Sequence, residues 1–219
     1  ESLHFEAFVR AAREFGLTIS FEEIVSNIPN AIGGGDRLIA EGIVRLGEGL
    51  NTEELLKEKR WHYSRLLEKA DVQPRTGFLE ILQWITEEAR LPVAIGSLTP
   101  RSQAEVLLRR SGLDGVFPAR YTVLLEDVGE ARKKPHPDVY LKTARRMRID
   151  PSEQLVFEDS AVGMTAARAA GSLVIGMPAF RTSENIAEIL EAGACRIFVD
   201  WREMNIAAVI ENLAKEINV

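Results

Sequence analysis

An apolar run ends in two adjacent acids at Gln154-Leu155-Val156-Phe157-Glu158-Asp159-Ser160-Ala161-Val162-Gly163. This order predicts a buried strand that delivers Glu158 and Asp159 to the start of a helix rich in small residues. Two neighbouring carboxylates repel each other, and burial favours their protonated forms. A divalent cation would remove both penalties, and oxygen ligands suit Mg²⁺. Taken alone, the stretch also fits a solvated acidic turn, because Asp and Ser are common N-cap residues.

The composition limits the class of protein. The 219 residues, 46% of them hydrophobic, suit one large domain or a core with an inserted subdomain. The net charge of −6 gives no general attraction to nucleic acid or to a membrane, and no apolar run is as long as a membrane span. The single cysteine, Cys195, excludes an internal disulfide and fits a reducing compartment. We therefore expect a cytoplasmic protein, monomeric or weakly dimeric, that binds neither nucleic acid nor membrane.

Two sequence patterns divide the chain near residue 77. Residues before it predict helices at 3–15, 21–28, 36–46 and 52–70, the last capped by Thr52. Residues after it alternate strands, at 91–96, 116–117, 121–123, 155–157, 173–175 and 196–199, with helices at 78–89, 100–110, 138–147, 161–170, 185–191 and 206–217. We predict an α/β fold, with a Rossmann-like parallel sheet covered by helices on both faces in residues 77–219 and an all-helical four-helix cap in residues 1–76.

Two further polar features lie after a predicted strand or in a connecting loop. Ser97 follows the strand that ends at Gly96, and its hydroxyl, with free N–H groups such as that of Leu98, would suit an anion; simple N-capping is the alternative. Lys134 lies in a proline-stiffened loop before a helix, where a solvated basic loop is the alternative. Because active sites of parallel sheets lie at the carboxyl ends of strands, these residues and the acidic pair are expected at one edge.

Together these segments resemble the motifs of the haloacid dehalogenase (HAD) phosphatase superfamily. Residues 96–101 resemble its second motif, residues 134–138 its third, and residues 157–160 with Gly163 its fourth. The helical segment resembles the cap of the subgroup that contains β-phosphoglucomutase and phosphoglycolate phosphatase. The similarity extends over nearly the whole chain.

This resemblance implies roles for the residues at the sheet edge. Ser97 and Lys134 would be catalytic, and together with Leu98 they would bind the transferring phosphoryl group. Glu158 and Asp159 would hold Mg²⁺, directly or through water. The cofactor implied is therefore Mg²⁺, and the partner is a small phosphorylated metabolite.

Two residues of the helical segment are candidates for contact with the substrate. His4 lies where β-phosphoglucomutase-like proteins carry a histidine near the substrate at the hinge of the cap; a polar residue at a helix start is an equally good interpretation. Arg37 would bind a second anion, although its register with the cap arginine of the mutases is open.

The nucleophile of the superfamily has no counterpart in these 219 residues. It is an Asp in a D-x-D motif, whose second Asp is the general acid/base, and no D-x-D pair occurs here. The alignment places it about ten residues before Glu1, on a strand expected between those that carry Ser97 and the acids. Three explanations compete: the sequence omits this segment, the gene product is truncated, or the chain is a non-catalytic relative. We favour omission and expect residues 1–219 alone to be inactive and to bind metal weakly.

The reaction implied is Mg²⁺-dependent hydrolysis of a small phosphate ester, of the sugar phosphate or phosphoglycolate type, through an aspartyl-phosphate intermediate. A phosphosugar mutase like β-phosphoglucomutase is the alternative enzyme. A non-catalytic relative that binds a phosphorylated ligand is the alternative of another class.

Overall fold

The computed structural model describes residues 2–33, 35–47, 49–129 and 132–217. The chain forms two compact units, Glu1–Asp71 and Val72–Val219. In the described ranges, no helix combines the length and the apolar character needed to cross a bilayer.

The first unit is all-helical. Its helices are α1 (Ser2–Glu14), α2 (Phe21–Asn27), α3 (Asp36–Leu46) and α4 (Thr52–Lys69). α1 packs mainly on α4, and Phe5, Phe8 and Leu55 are fully buried in the core of this unit. The apolar spacing along α1 thus forms the buried face that the sequence predicts.

The prediction that Thr52 caps α4 is wrong. Asn51 is the cap, because its side chain accepts hydrogen bonds from the N–H groups of Glu53 and Glu54. Thr52 is already the first helical residue, whereas a cap residue stands just outside the helix in extended backbone.

The second unit alternates strands with helices. Its strands are β1 (Ile95–Gly96), β2 (Thr122–Val123), β3 (Leu155–Glu158), β4 (Leu173–Gly176) and β5 (Arg196–Ile197). Its helices are α5 (Phe78–Gln83), α6 (Arg101–Arg110), α7 (Leu125–Val128), α8 (Asp138–Met147), α9 (Ala161–Ala169), α10 (Ser183–Glu191) and α11 (Ile206–Ile217). A π-helical turn, Trp84–Glu88, continues α5 over the predicted span.

All the strand pairs are parallel. β1 pairs with β2, while β3, β4 and β5 pair in that order. The described strands therefore form two separate sheets, and β1 and β3 each leave one edge without a strand partner among them. These two edges belong to the strands between which the sequence leads us to expect a further strand.

Helices cover both faces of the β3–β5 sheet. Val156 packs in one apolar cluster with Met164 of α9, and Phe157 packs in a second cluster with Leu213 of α11. Neighbouring residues of a strand point to opposite faces, so the two clusters lie on opposite sides of the sheet. The predicted α/β class, with helices on both faces and an all-helical cap segment, is confirmed.

Short elements differ from the sequence-based prediction. Residues 91–94 form no strand, since β1 pairs only over the two residues of β2, and Pro92 offers no N–H to a ladder. The strand predicted at 116–117 is wrong: a turn lies there, after Gly115 with φ of 83°. α7 was not predicted, because four residues are too few to show a helical period.

Candidate functional site

Ser97 lies at the carboxyl end of β1. Its N–H donates to the carbonyl oxygen of Val123 at 3.0 Å, which extends the β1–β2 ladder by one residue. Its hydroxyl donates to Oγ1 of Thr99 at 2.9 Å and accepts from the Thr99 N–H at 3.1 Å. This turn holds Ser97 and Leu98 at the sheet edge where the sequence places them.

Ser97 does not cap the helix that follows. α6 begins at Arg101, and Pro100 stands before it without a side-chain cap. The Arg101 N–H donates instead to both carboxylate oxygens of Glu126, at 2.9 and 3.1 Å. A carboxylate of the chain itself thus occupies the start of α6, so the predicted phosphate contact depends on the Ser97 turn rather than on the helix.

Lys134 reaches the carboxyl end of β3. Its ammonium group donates a hydrogen bond to Oε1 of Glu158, and the Tyr140 hydroxyl donates to the same oxygen. Lys134 Nζ also lies 4.9 Å from the centre of the Tyr140 ring. The Lys134 and Glu158 side chains are only 14% and 6% exposed. This Lys134–Glu158–Tyr140 cluster fixes one positive charge beside the acidic pair.

The cluster favours an ionised glutamate and a neutral tyrosine. Burial alone would raise the pKa of Glu158, but the charge and hydrogen bond of Lys134, aided by Tyr140, hold this pKa below its usual value. Burial and the Glu158 charge raise the pKa of Tyr140 well above its usual value. At neutral pH, Tyr140 therefore remains a hydrogen-bond donor to the carboxylate.

Gly163 makes room for the Glu158 carboxylate. A Cβ atom added at Gly163 would lie 2.0 Å from Oε2 and 2.2 Å from Cδ of Glu158. Ser160 caps α9 by accepting a hydrogen bond from the Gly163 N–H at 3.2 Å. The carboxylate thus lies against the first turn of α9, where the helix dipole favours negative charge.

Asp159 comes next to this cluster and is half-buried. Its N–H donates to Oε2 of Glu158 at 3.2 Å. Burial and the charge of Arg181 lower the pKa of Arg75, and the negative charge of Asp159 opposes that effect. Asp159 therefore lies within electrostatic reach of Arg75, which binds the carbonyl oxygen of Met177 just after β4.

The acidic pair suits Mg²⁺ by its donor chemistry. Mg²⁺ is commonly bound through one or two carboxylates, and water and substrate phosphate complete its shell. Within the described ranges, no group of three or more His, Cys, Asp or Glu side chains is placed to hold a metal ion. Glu158 and Asp159 fit the protein part of such a shared shell, and their role as ligands stays a prediction.

Tyr140 links the two sheets. Its hydroxyl contacts Glu158 at the end of β3, and its ring would lie 3.5 Å from a Cβ atom added at Gly96 in β1. The structure therefore brings Ser97, which follows Gly96, to the same region as Lys134 and Glu158. The sequence did not reveal Tyr140, because an aromatic residue on the apolar face of a helix is ordinarily part of the core.

His4 belongs to a partly buried charged network within the first unit. Lys59, 1% exposed, donates to both carboxylate oxygens of Asp36 at 2.7 and 2.6 Å, and its Nζ lies 2.7 Å from Nδ1 of His4. The His4 ring stacks on Tyr63 with centroids 4.1 Å apart. Burial would raise the pKa of Asp36, but the contacts with His4 and Lys59 outweigh it and lower the pKa strongly.

Arg37 lies on the surface of the first unit. It forms ion pairs with Glu53 and, at 3.7 Å, with Glu41. The contacts that the structure shows for Arg37 are thus with acids of its own unit, and its contact with a second anion stays a prediction. The role of His4 near a substrate also stays a prediction.

Comparison with known proteins gives consistent matches. The chain matches the family model described as haloacid dehalogenase-like hydrolase over residues 1–171. It is 28% identical to the phosphorylated carbohydrates phosphatase of Thermotoga maritima over 216 residues, 94% of this chain and 91% of that protein. It is 31% identical to fructose-1-phosphate phosphatase YqaB of Escherichia coli over 174 residues, 78% of this chain and 85% of that protein. Its fold is similar to that of β-phosphoglucomutase from Clostridium difficile, with a TM-score of 0.69, 17% identity and coverage of 100% and 92% of the two chains.

Proposed function

Because the chain belongs to the haloacid dehalogenase-like hydrolases, as its motifs predicted, we propose that it is a phosphatase of a small phosphorylated carbohydrate or related metabolite. The observation that carries this proposal is the buried Lys134–Glu158–Tyr140 cluster, joined through Tyr140 to the strand end that bears Ser97. A fixed ammonium group and a hydroxyl at one sheet edge suit the charge of a phosphoryl group. The names of the matched phosphatases support the substrate class.

We assign the phosphate contacts to the residues of this edge. The Ser97 hydroxyl and the Leu98 N–H donate to phosphoryl oxygens. Lys134 neutralises charge that develops on the same oxygens. Glu158 is the positioning residue for Lys134, because its carboxylate holds the ammonium group at the strand end.

Glu158 and Asp159 would hold Mg²⁺. Bound there, the cation would screen the repulsion between an anionic nucleophile and the anionic phosphate. Both oxygens of Glu158 already accept hydrogen bonds from the chain, so a cation bound directly to Glu158 would compete with them.

The nucleophile in this proposal is an aspartate outside residues 1–219, because these residues contain no D-x-D pair. Its carboxylate attacks phosphorus, and the ester oxygen leaves with a proton from the second Asp of that motif, the general acid/base. Water then cleaves the aspartyl-phosphate, which releases inorganic phosphate and restores the carboxylate. Residues 1–219 alone would accordingly bind ligand without turnover.

The test is release of inorganic phosphate from a panel of phosphate esters with Mg²⁺, by the full-length natural protein. We expect turnover of sugar phosphates, and a loss on the order of 100-fold or more in Asp159→Asn. Asp114→Asn is the matched control, because Asp114 is exposed and lies in the turn after α6. Equal turnover in the two variants would refute the metal role of Asp159. No turnover of any ester would refute the phosphatase proposal and favour a non-catalytic binding protein, and transfer of phosphate to a second sugar hydroxyl would indicate a mutase.

A further inference from the structure

A second polar pocket lies at the same sheet edge, over the carboxyl ends of β4 and β5. Its volume is about 260 Å³, and Arg75, Thr76, Arg181, Asp200 and Trp201 are among its lining residues. Arg75 fixes the floor of the pocket by donating to the carbonyl oxygens of Met177 at 2.7 Å and Val199 at 3.1 Å. The pocket therefore belongs entirely to the second unit.

The one carboxylate of this lining is engaged by an arginine outside the pocket. Asp200 accepts hydrogen bonds from Nε of Arg202 at 3.0 Å and from its terminal nitrogen at 2.7 Å, and also from its N–H at 2.9 Å. Arg181 approaches the same carboxylate only to 4.0 Å, and its side chain is 59% exposed. Most of the Asp200 charge is thus neutralised by Arg202, which leaves the charge of Arg181 largely available to a ligand.

Arg75 adds a second positive charge. Its two hydrogen bonds to carbonyl oxygens fix its position without neutralising it. Burial and the charge of Arg181 both lower the pKa of Arg75, so the two guanidinium groups are close enough to repel each other. An anion between them would relieve this repulsion.

Thr76 and Trp201 are the remaining lining residues with a polar side-chain group. The Trp201 side chain is 8% exposed, and nothing in the described structure accepts a hydrogen bond from its indole Nε1–H. This nitrogen is itself shielded from solvent, so Trp201 contributes a wall to the pocket rather than a donor to its ligand. Thr76 supplies a hydroxyl to the same lining.

The pocket adjoins the proposed phosphate site. β3, which ends at Glu158, is separated from β5 by β4 alone, so two strand spacings of about 4.8 Å place the two strand ends about 10 Å apart. The negative charges of Asp159 and Asp200 both act to raise the pKa of Arg75, so both carboxylates lie within electrostatic reach of it. One small molecule with two anionic groups can therefore span both places.

We propose that this pocket binds a second anionic group, a phosphate or a carboxylate, of the same substrate whose scissile phosphate contacts Ser97 and Lys134. This inference rests on the proposed phosphatase function and narrows it to substrates with two anionic groups.

The kinetic test uses the full-length protein with fructose 1-phosphate, fructose 1,6-bisphosphate and 6-phosphogluconate, since the two anionic groups of each of the last two lie at opposite ends of a six-carbon chain. We expect a lower KM for the substrate that carries a second phosphate or a carboxylate. Arg181→Gln should raise that KM about tenfold with little change in kcat, and should leave the KM for fructose 1-phosphate within about twofold. Arg181→Lys should restore part of the effect, and Arg196→Gln, the same charge change on β5 outside the pocket, should leave every KM unchanged. Equal effects of Arg181→Gln on all three substrates would overturn the proposal. The substrate whose KM rises identifies the second group as a phosphate or a carboxylate.

A binding test separates the pocket from turnover. Inorganic phosphate alone is titrated into the protein while the indole ¹H–¹⁵N signal of Trp201, assigned with Trp201→Phe, is followed at constant ionic strength. We expect a saturable shift that Arg181→Gln weakens at least fivefold, by analogy with the loss of one charged hydrogen bond, and that Arg196→Gln retains. An absent shift would overturn the pocket even if phosphate esters are hydrolysed. A retained shift without hydrolysis of any ester would locate the failure in the phosphatase proposal instead.

Discussion

Gly163→Ala should destabilise the second unit, although helix propensity predicts the opposite. Gly163 lies in α9, where replacement of Gly by Ala ordinarily stabilises a helix by about 1 kcal/mol. The added methyl group would lie 2.0 Å from Oε2 of Glu158 and 2.5 Å from Oε1. The sign of the change in the free energy of unfolding therefore indicates whether the Glu158 carboxylate lies where the structure places it.

The size of the effect follows from the distance that the carboxylate must move. A Cβ contact below 3.0 Å is essentially never tolerated, so Oε2 of Glu158 has to retreat by at least 1.0 Å, from 2.0 to 3.0 Å. Overpacking of this kind costs about 1–3 kcal/mol. Such a shift also weakens the hydrogen bonds from Lys134 and Tyr140, and loss of one charge-assisted bond adds about 1.5–3 kcal/mol. Against about 1 kcal/mol of helix propensity, we expect a net loss of about 3 kcal/mol.

The assay is urea unfolding at neutral pH of the wild type, Gly163→Ala, Glu158→Ala and the double variant. Glu158→Ala removes the carboxylate that the methyl group meets, so Gly163→Ala should become neutral or stabilising in that background. The two substitutions should show a coupling energy of about 3 kcal/mol. A Gly163→Ala variant that is as stable as the wild type, or equally destabilised in both backgrounds, would refute this account of Gly163.

Two further changes test the buried charges. Tyr140→Phe should cost about 1.5 kcal/mol at pH 7, because it removes the hydroxyl that donates to Glu158. Since the folded-state pKa of Tyr140 is raised, its contribution to the free energy of unfolding is complete below pH 10 and is lost as the pH rises further. Urea unfolding from pH 8 to 11 should therefore show a loss of stability in the wild type and a smaller loss in Tyr140→Phe. In the first unit, Asp36→Asn should cost about 1–3 kcal/mol, more than Lys59→Met, because it leaves the buried Lys59 ammonium without its carboxylate; solvent reduces the effect, since the Asp36 side chain is 39% exposed. The folded-state pKa of Asp36 is lowered, so the stabilisation by its ionised form is present above pH 3.8 and is lost as the pH falls below that value. Equal stability of Asp36→Asn and Lys59→Met between pH 3 and 6 would contradict the greater cost expected for Asp36→Asn.

The sequence predicted long periodic elements well. α8 and α11 have the predicted bounds, and the register of β3 with its acidic end could be recognised from its apolar run. The elements that differ, such as β1 and α7, are too short for periodicity, and their extent depends on partners from distant parts of the chain. The local sequence pattern indicates which secondary structure a segment favours, whereas the number of residues over which a strand pairs is set by the neighbouring strand.

The same distinction holds for the candidate site. Ser97 and Glu158 could be selected from sequence because they stand at the ends of apolar strands, and Lys134 because it stands in a proline-stiffened loop before a helix. Tyr140 and Arg75 could not, because their roles come from tertiary contacts: a hydroxyl that meets a buried carboxylate and a guanidinium that binds carbonyl groups after two strands. In the sequence, Tyr140 cannot be distinguished from an ordinary core aromatic residue, and Arg75 cannot be distinguished from an ordinary surface cation.

The two adjacent acids have different surroundings in the structure. Glu158 is buried and ionised because Lys134 and Tyr140 share one of its oxygens, so a ligand that competed for that oxygen would leave the Lys134 charge buried without its partner. Asp159 is half-buried, and its negative charge acts on Arg75, which lines the pocket proposed to bind a second anion. Within the proposed function, Glu158 would fix the lysine and meet Mg²⁺ through water, whereas Asp159 would be the direct carboxylate ligand. On this view Glu158→Gln should weaken the contribution of Lys134 to turnover, and Asp159→Asn should weaken the dependence of turnover on Mg²⁺. The roles of the two acids are therefore separable by mutation, although the residues are adjacent in sequence.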